Sequence, residues 1–154
     1  MKYFLILFIL TIFFTACGDT SSKKINLENS NNFLLTNAAQ DGVISLEDGL
    51  QYVVIESGET NASSPELSDT ISAHFHGTLM DGTVFWSSVE MGEPLTIQLS
   101  QLIPGCQKII SKMRAGDLWR VFIHPSMAYG EEGRPTIPPN STLIFDIELI
   151  NVDA

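Results

Sequence analysis

Few side chains in this sequence could carry covalent, acid–base or metal chemistry. The chain of 154 residues has two cysteines and three histidines, and neither a Ser-His-Asp arrangement nor a cofactor-binding motif can be recognised in it. His74 and His76 lie on the same face of a candidate strand and could bind a metal ion, but the sequence places no third ligand with them. We therefore predict no metal site and no cofactor.

Cys17 stands where a specific modification is expected. Met1 and Lys2 precede an apolar run from residue 3 to residue 14, two small residues follow that run, and the chain turns polar directly after the cysteine. This order is typical of a secretory signal. A cysteine at the cleavage point also resembles the lipobox of bacterial lipoproteins, in which the thiol receives a diacylglycerol and the chain is cut just before it.

We expect residues 1–16 to be a lipoprotein signal peptide and Cys17 to carry the lipid. The resemblance implies an anchor in the bacterial cell envelope. Gly18 stands where inner-membrane lipoproteins have aspartate, which implies the outer membrane, facing the periplasm or the cell surface. A plain secretory signal is the alternative. An uncleaved membrane helix is disfavoured, because a span needs about 20 apolar residues and this run is shorter.

The charge of the chain excludes several classes of partner. It carries 8 basic and 18 acidic side chains, a formal charge of −10, and it loses the basic Lys2 with the signal peptide. Binding to nucleic acid depends on clustered Lys and Arg, so no nucleic acid partner is expected. Membrane attachment should depend on the lipid rather than on charge. With Cys17 acylated, Cys106 has no partner for a disulfide.

A change of composition divides the chain behind the signal. Residues 18–32 are rich in Ser, Asn and Lys and lack hydrophobic periodicity, which predicts a flexible tether. Residues 33–39 could form a short helix. We therefore expect a lipid-anchored tether over residues 17–45 and one folded domain over residues 46–154.

The folded part alternates in the manner of strands and has one helical segment. Polar and apolar residues alternate from Thr70 to His76, whereas from Pro104 to Ala115 the apolar residues, Cys106 among them, recur at helical spacing. Further strands are predicted over residues 51–55, 83–86, 95–99, 117–124 and 142–151. The pattern indicates an α+β fold, a twisted antiparallel sheet of about five strands wrapped around one short helix.

Several blocks in this domain carry a family resemblance. They are HGTLMDGTVF (76–85), LIPG (102–105), AYG (128–130), IPPN (137–140) and TLIFDIEL (142–149). In this order they resemble the FKBP-type peptidyl-prolyl cis-trans isomerases, from about residue 47 to residue 151. Residues 33–52 resemble the linker of the lipoprotein subgroup called macrophage infectivity potentiators. In that subgroup a long N-terminal helix makes a dimer, and the shorter region here implies a monomer.

The resemblance implies rotation about the peptide bond before proline, in proline-containing segments of exported proteins. The barrier is about 18–20 kcal/mol because the twisted amide loses resonance, and a dry apolar pocket can lower it by binding the twisted form better than the planar one. The backbone N–H of Ile103 and the hydroxyl of Tyr129 would hold substrate carbonyls. By resemblance the catalytic residues are Phe75, Phe85, Trp86, Ile103 and Tyr129, and the substrate-binding residues are Leu95, Leu102, Cys106, Ile137 and Phe145.

Three of these positions depart from the family pattern. Phe75 replaces a tyrosine, Trp86 replaces an aspartate, and Cys106 replaces the tryptophan at the pocket floor. We therefore expect an isomerase of reduced activity. The alternative is a catalytically weak binding module or chaperone-like lipoprotein that captures proline-containing segments, and a structural scaffold is a third hypothesis. At Leu95, Leu102 and Phe145, ordinary core packing explains the residue type equally well.

Overall fold

The computed structural model describes residues 18–58 and 60–153, so the predicted signal peptide and the predicted lipidation site Cys17 lie outside the described residues. Short turns of 3₁₀ helix occur at Leu99–Gln101 and Pro125–Met127. The longer elements are the helices α1 (Gly18–Asn37), α2 (Ser88–Met91) and α3 (Pro104–Ile110) and the strands β1 (Ile44–Glu47), β2 (Leu50–Glu56), β3 (Thr70–Thr78), β4 (Val84–Ser87), β5 (Leu95–Gln98), β6 (Leu118–Ile123) and β7 (Leu143–Asp153).

The strands join in a single antiparallel sheet. Their order is β1-β2-β6-β7-β3-β4, and β5 pairs with the first half of β3. Along β3 every second side chain is buried, as the alternation in the sequence predicts. The predicted α+β fold is therefore confirmed, although the sheet has seven strands rather than about five, in part because the short edge strand β1 was not predicted.

Helix α3 and the sheet share one hydrophobic core. Ile109 and Ile110 of the helix are fully buried, together with Ile147 and other residues of the central strands. Close packing requires Gly105 at the start of the helix, because a Cβ atom there would lie 2.4 Å from Cγ2 of Ile123 on β6. This contact sets α3 directly against the sheet.

Helix α3 is shorter than predicted from the sequence. It ends at Ile110, and the backbone N–H groups of Lys112 and Met113 then donate to carbonyls three residues back, at 2.9 Å each. Bonds of this kind form a tighter turn than the α-helix. Met113 is nevertheless fully buried, so the predicted apolar stripe was right although the helix boundary was wrong.

The predicted flexible tether over residues 18–32 is wrong, because helix α1 occupies this segment. The residues on its inward face recur at helical spacing, and much of that face is polar, with Asn26, Ser30 and Asn37 buried or half-buried beside Leu34. Hydrophobic periodicity cannot reveal a polar face. Within residues 18–58 and 60–153, no helix combines the length and hydrophobicity that crossing a membrane requires.

Candidate functional site

Side chains from β3, β4, β5, β7, α3 and two loops line a cavity of about 540 Å³. All ten residues that the family resemblance assigned to catalysis or substrate binding lie on its wall. Three further residues, Gln101, Arg134 and Thr136, were not predicted. The lining residues are Phe75, Phe85, Trp86, Leu95, Gln101, Leu102, Ile103, Cys106, Tyr129, Arg134, Thr136, Ile137 and Phe145.

Three phenylalanine rings form the aromatic wall of the cavity. The ring centroids of Phe85 and Phe145 are 5.4 Å apart at 87°, and those of Phe75 and Phe145 are 6.2 Å apart at 81°, which is the edge-to-face geometry that aromatic pairs prefer. Gly77 makes this packing possible, because a Cβ atom there would lie 2.6 Å from Cζ of Phe85 and 2.8 Å from Cε1 of Phe145.

Trp86 and Cys106, two of the three residues that depart from the family pattern, line this cavity. The ring of Trp86 is half-buried, packs against the core and lies 6.2 Å from the ring of Phe75. The side chain of Cys106 is only 2% exposed, and burial raises the pKa of its thiol to about 12. The thiol is therefore protonated at neutral pH and acts as a small apolar group, as its place on the apolar stripe predicted.

Helix α2 binds the strand that carries Phe75. The backbone N–H of Phe75 donates to Oγ of Ser88 at 2.9 Å, and Nδ1 of His74 lies 3.0 Å from the same oxygen. His76 makes the equivalent contact with Oγ of Ser87 at 3.0 Å. His74 therefore helps to join β3 to α2, and His76 joins β3 to the last residue of β4. In the described part of the chain, no three His, Cys, Asp or Glu side chains are grouped closely enough to hold a metal ion.

Two hydrogen-bond donors on the cavity wall are unoccupied. Ile103 directly precedes α3 in an extended conformation, and its carbonyl accepts the backbone N–H of Gln107 at 3.1 Å. Among the described residues, neither the backbone N–H of Ile103 nor the hydroxyl of Tyr129 has a hydrogen-bond partner. The cavity thus combines an apolar interior with two unpaired donors on residues of its wall.

Tyr129 belongs to the loop between β6 and β7, which we call the pocket loop (residues 124–142). Its carbonyl accepts the N–H of Gly133 at 3.1 Å, while Arg134 and Ile137 exchange two backbone hydrogen bonds of 2.8 and 2.9 Å. The guanidinium carbon of Arg134 lies 4.7 Å from the centre of the Tyr129 ring, within the range of a cation–π interaction. These contacts cross-link the residues at the tip of the loop.

Helix α1 binds the far end of the pocket loop through side-chain hydrogen bonds. The hydroxyl of Ser30, which is fully buried, donates to the carbonyl of Asn140 at 2.8 Å and accepts the backbone N–H of Thr142 at 3.0 Å. Nδ2 of Asn26 donates to the carbonyl of Pro139 at 2.9 Å. A single buried hydroxyl therefore satisfies two backbone groups of the loop that would otherwise be unpaired.

The same helix binds the near end of the loop through His124. Nδ1 of His124 accepts the backbone N–H of Ser126 at 3.2 Å, and Nε2 lies 3.0 Å from Oδ1 of Asn31. These partners require the neutral ring with its proton on Nε2. Burial lowers the pKa of His124, against the opposing effect of the Asp48 carboxylate. Sequence reasoning missed this role of α1, for which polar residues at helical spacing were the available signal.

Comparison with known proteins relates most of the chain to one family. Residues 61–150 match the family described as FKBP-type peptidyl-prolyl cis-trans isomerase. Residues 16–54 match the family described as the domain amino terminal to FKBP-type peptidyl-prolyl isomerase. The second match covers α1, β1 and most of β2.

Individual relatives are longer than this chain. The peptidyl-prolyl cis-trans isomerase Mip of Coxiella burnetii is 41% identical over 82% of the chain and 55% of its own length. The outer membrane protein MIP of Legionella longbeachae is 45% identical over 78% of the chain and 51% of its own length. The chain therefore spans about half the length of these curated relatives.

Solved structures show the same fold. The crystal structure of FkpA from Escherichia coli superposes with a TM-score of 0.83 at 36% identity, covering 88% of this chain and 62% of the other. A peptidyl-prolyl cis-trans isomerase from Pseudomonas syringae superposes with a TM-score of 0.79 at 29% identity, covering 86% of this chain and 96% of the other.

The first prediction concerns Ser30. Ser30→Ala should lower the free energy of unfolding by about 1–3 kcal/mol, because it leaves a buried carbonyl and a buried N–H unpaired. Thr36→Ala is the matched control, since that hydroxyl is exposed and bonds only within its own helix, to Asn32 at 2.9 Å. The change there should be about 0.5 kcal/mol or less. Denaturant unfolding measures both, and equal losses would contradict the assigned role of Ser30.

The second prediction concerns pH. The pKa of His124 is lowered in the folded chain, so the unfolded chain, with a histidine pKa of about 6.5, binds the proton more readily. The stability due to the neutral ring is therefore fully present above the unfolded pKa and is lost as the pH falls through the folded pKa. The difference in unfolding free energy between wild type and His124→Gln should shrink from pH 7.5 to 5, and a difference independent of pH would contradict this account.

Proposed function

We propose that this chain, which belongs to the FKBP-type peptidyl-prolyl cis-trans isomerase family, catalyses rotation about the peptide bond before proline in segments of exported proteins. The observation that carries the proposal is the cavity, because an apolar interior is combined with two unoccupied donors at Ile103 and Tyr129. The residues of a single chain are sufficient to form this cavity, and we propose a monomer as the active form.

Catalysis of this rotation is a matter of environment. The planar amide is stabilised by charge-separating resonance, which the twisted amide lacks. An apolar wall of Phe75, Phe85 and Phe145 around the proline ring therefore favours the twisted form relative to water. The donors at Ile103 and Tyr129 would bind carbonyls on either side of the rotating bond, so that the flanking chain is held while one bond turns.

The site assigns no step to proton transfer or nucleophilic attack. Cys106 is the only thiol that lines the cavity among the described residues, and with a pKa of about 12 it is protonated at neutral pH. A second function, binding of proline-containing segments without useful turnover, is favoured by one observation. The ring of Trp86 lies where the family has aspartate, and it increases the apolar surface available to a bound segment.

The third prediction tests the isomerase. The purified full chain, in detergent, should accelerate exchange of a proline tetrapeptide measurably. Tyr129→Phe should lower kcat/KM about fivefold, the effect of losing one hydrogen bond of about 1 kcal/mol. Tyr52→Phe is the matched control, because that ring stacks on Trp119 at 4.5 Å and does not line the cavity. Its kcat/KM should be unchanged.

A second test of the isomerase restores the residues that the family has at two positions. Trp86→Asp combined with Cys106→Trp should raise turnover, and the two effects should not add, because both side chains line the same cavity. If the wild-type chain folds but shows no catalysis above background, and the double substitution changes nothing, the isomerase proposal fails. The binding module then takes its place, and peptide dissociation constants become the relevant measurement.

The site of action proposed here is the cell envelope, with Cys17 carrying a lipid. The signal-like segment before Cys17 supports this location, as does similarity to a relative named an outer membrane protein. The anchor would hold the isomerase near exported chains as they fold.

The fourth prediction tests this anchor. The wild-type protein should partition into detergent, and Cys17→Ser should either release it into the aqueous phase or leave its signal segment attached, because the lipid needs the thiol. Mass spectrometry of the N-terminal peptide measures both outcomes. A mature chain that begins elsewhere and carries no lipid would overturn the anchor while leaving the isomerase proposal intact.

A further inference from the structure

We propose that Arg134 forms a subsite for a carboxylate beside the proline of the bound segment, so that the chain prefers substrates with Glu or Asp next to proline. This inference rests on the function proposed above and names the class of segment that the site selects. It concerns a residue that sequence reasoning did not place in the pocket.

The position of Arg134 sets it apart from the other residues of the cavity. Among the described residues that line the cavity, it is the only one with a formal charge at neutral pH. Its guanidinium stacks over Tyr129, with the guanidinium carbon 4.7 Å from the ring centre. A substrate whose carbonyl reaches the Tyr129 hydroxyl therefore lies close to a positive charge.

The guanidinium of Arg134 is also unpaired. Two other basic side chains of the domain are paired with carboxylates, Arg120 with Asp146 at 2.7 Å and Lys108 with Glu47. Within the described part of the chain Arg134 forms no ion pair, although Glu131 and Glu132 belong to the same loop.

Guanidinium chemistry fits a carboxylate ligand. The group presents five N–H donors in a planar fork that binds a carboxylate through two parallel hydrogen bonds. Stacking uses the face of the guanidinium and leaves the N–H groups at its edge available.

The backbone under Arg134 is held in place before a ligand arrives. Two hydrogen bonds with Ile137, at 2.8 and 2.9 Å, close the turn, and Pro135 restricts its backbone. Less conformational freedom is then lost when a ligand binds. Because Arg134 is exposed, water partly screens an ion pair there, and the expected preference is modest.

A competing explanation is that Arg134 only orients the ring of Tyr129. That role would lower activity toward every substrate by the same factor when Arg134 is changed. A carboxylate subsite instead changes the ratio between substrates. Glutamate and glutamine side chains have the same shape and differ in charge, so the Glu-to-Gln ratio separates the two explanations.

The experiment measures exchange by NMR on proline tetrapeptides that carry Glu, Gln or Lys directly before or directly after proline, with the full chain in detergent. For at least one of the two positions, wild type should show a Glu-to-Gln ratio of kcat/KM of about threefold or more. Arg134→Gln should bring this ratio to about one, and Arg134→Glu should favour Lys. Lys112→Gln is the control, since it makes the same change in net charge away from the cavity and should keep the wild-type ratio.

The outcomes separate this inference from the isomerase proposal. Equal Glu-to-Gln ratios in wild type and Arg134→Gln, at both positions, would overturn the subsite even if every peptide is isomerised. If no peptide is isomerised, the isomerase proposal fails by itself, and dissociation constants for the same peptides decide the subsite. A Glu-over-Gln affinity that Arg134→Gln removes would support it, and equal affinities would overturn it. Should Arg134→Glu fail to fold, Arg134→Gln carries the test.

Discussion

The antiparallel pairing of β3 with β7 is the interaction on which the cavity depends. In its register Gly77 stands directly opposite Phe145, and Phe75 stands opposite Ile147. The missing side chain at Gly77 leaves the space into which the rings of Phe145 and Phe85 converge. Because side chains alternate between the faces of a strand, a slip of one residue would turn the aromatic wall away from α3 and leave no pocket.

The sequence was sufficient to predict the elements whose buried faces are apolar. Burial of apolar side chains produces the alternation in β3 and β7 and the helical stripe that begins with Cys106. The structure confirms both patterns. The family resemblance is confirmed as well. The ten pocket positions came from that resemblance and lie together on one cavity, but their catalytic and binding roles stay predictions.

The sequence was insufficient to predict the features that depend on polar contacts between distant residues. Helix α1 was missed because residues such as Asn26 and Ser30 face inward to bind backbone groups of a distant loop, and nothing local signals such partners. Arg134 was missed for a related reason. A charged residue in a loop usually faces water, and Arg134 is indeed exposed. Its place on the cavity wall follows from the turn that it closes with Ile137 and from its contact with the ring of Tyr129.

Helix α1 has a mechanical consequence. At about 1.5 Å per residue, its 20 residues form a rod roughly 30 Å long, and the rod is fastened to both ends of the loop that carries Tyr129. An anchor directly before its first turn would keep the pocket within about one helix length of the bilayer. Tension on such an anchor would pass along α1 to Ser30 and Asn31, and from there to the walls of the cavity.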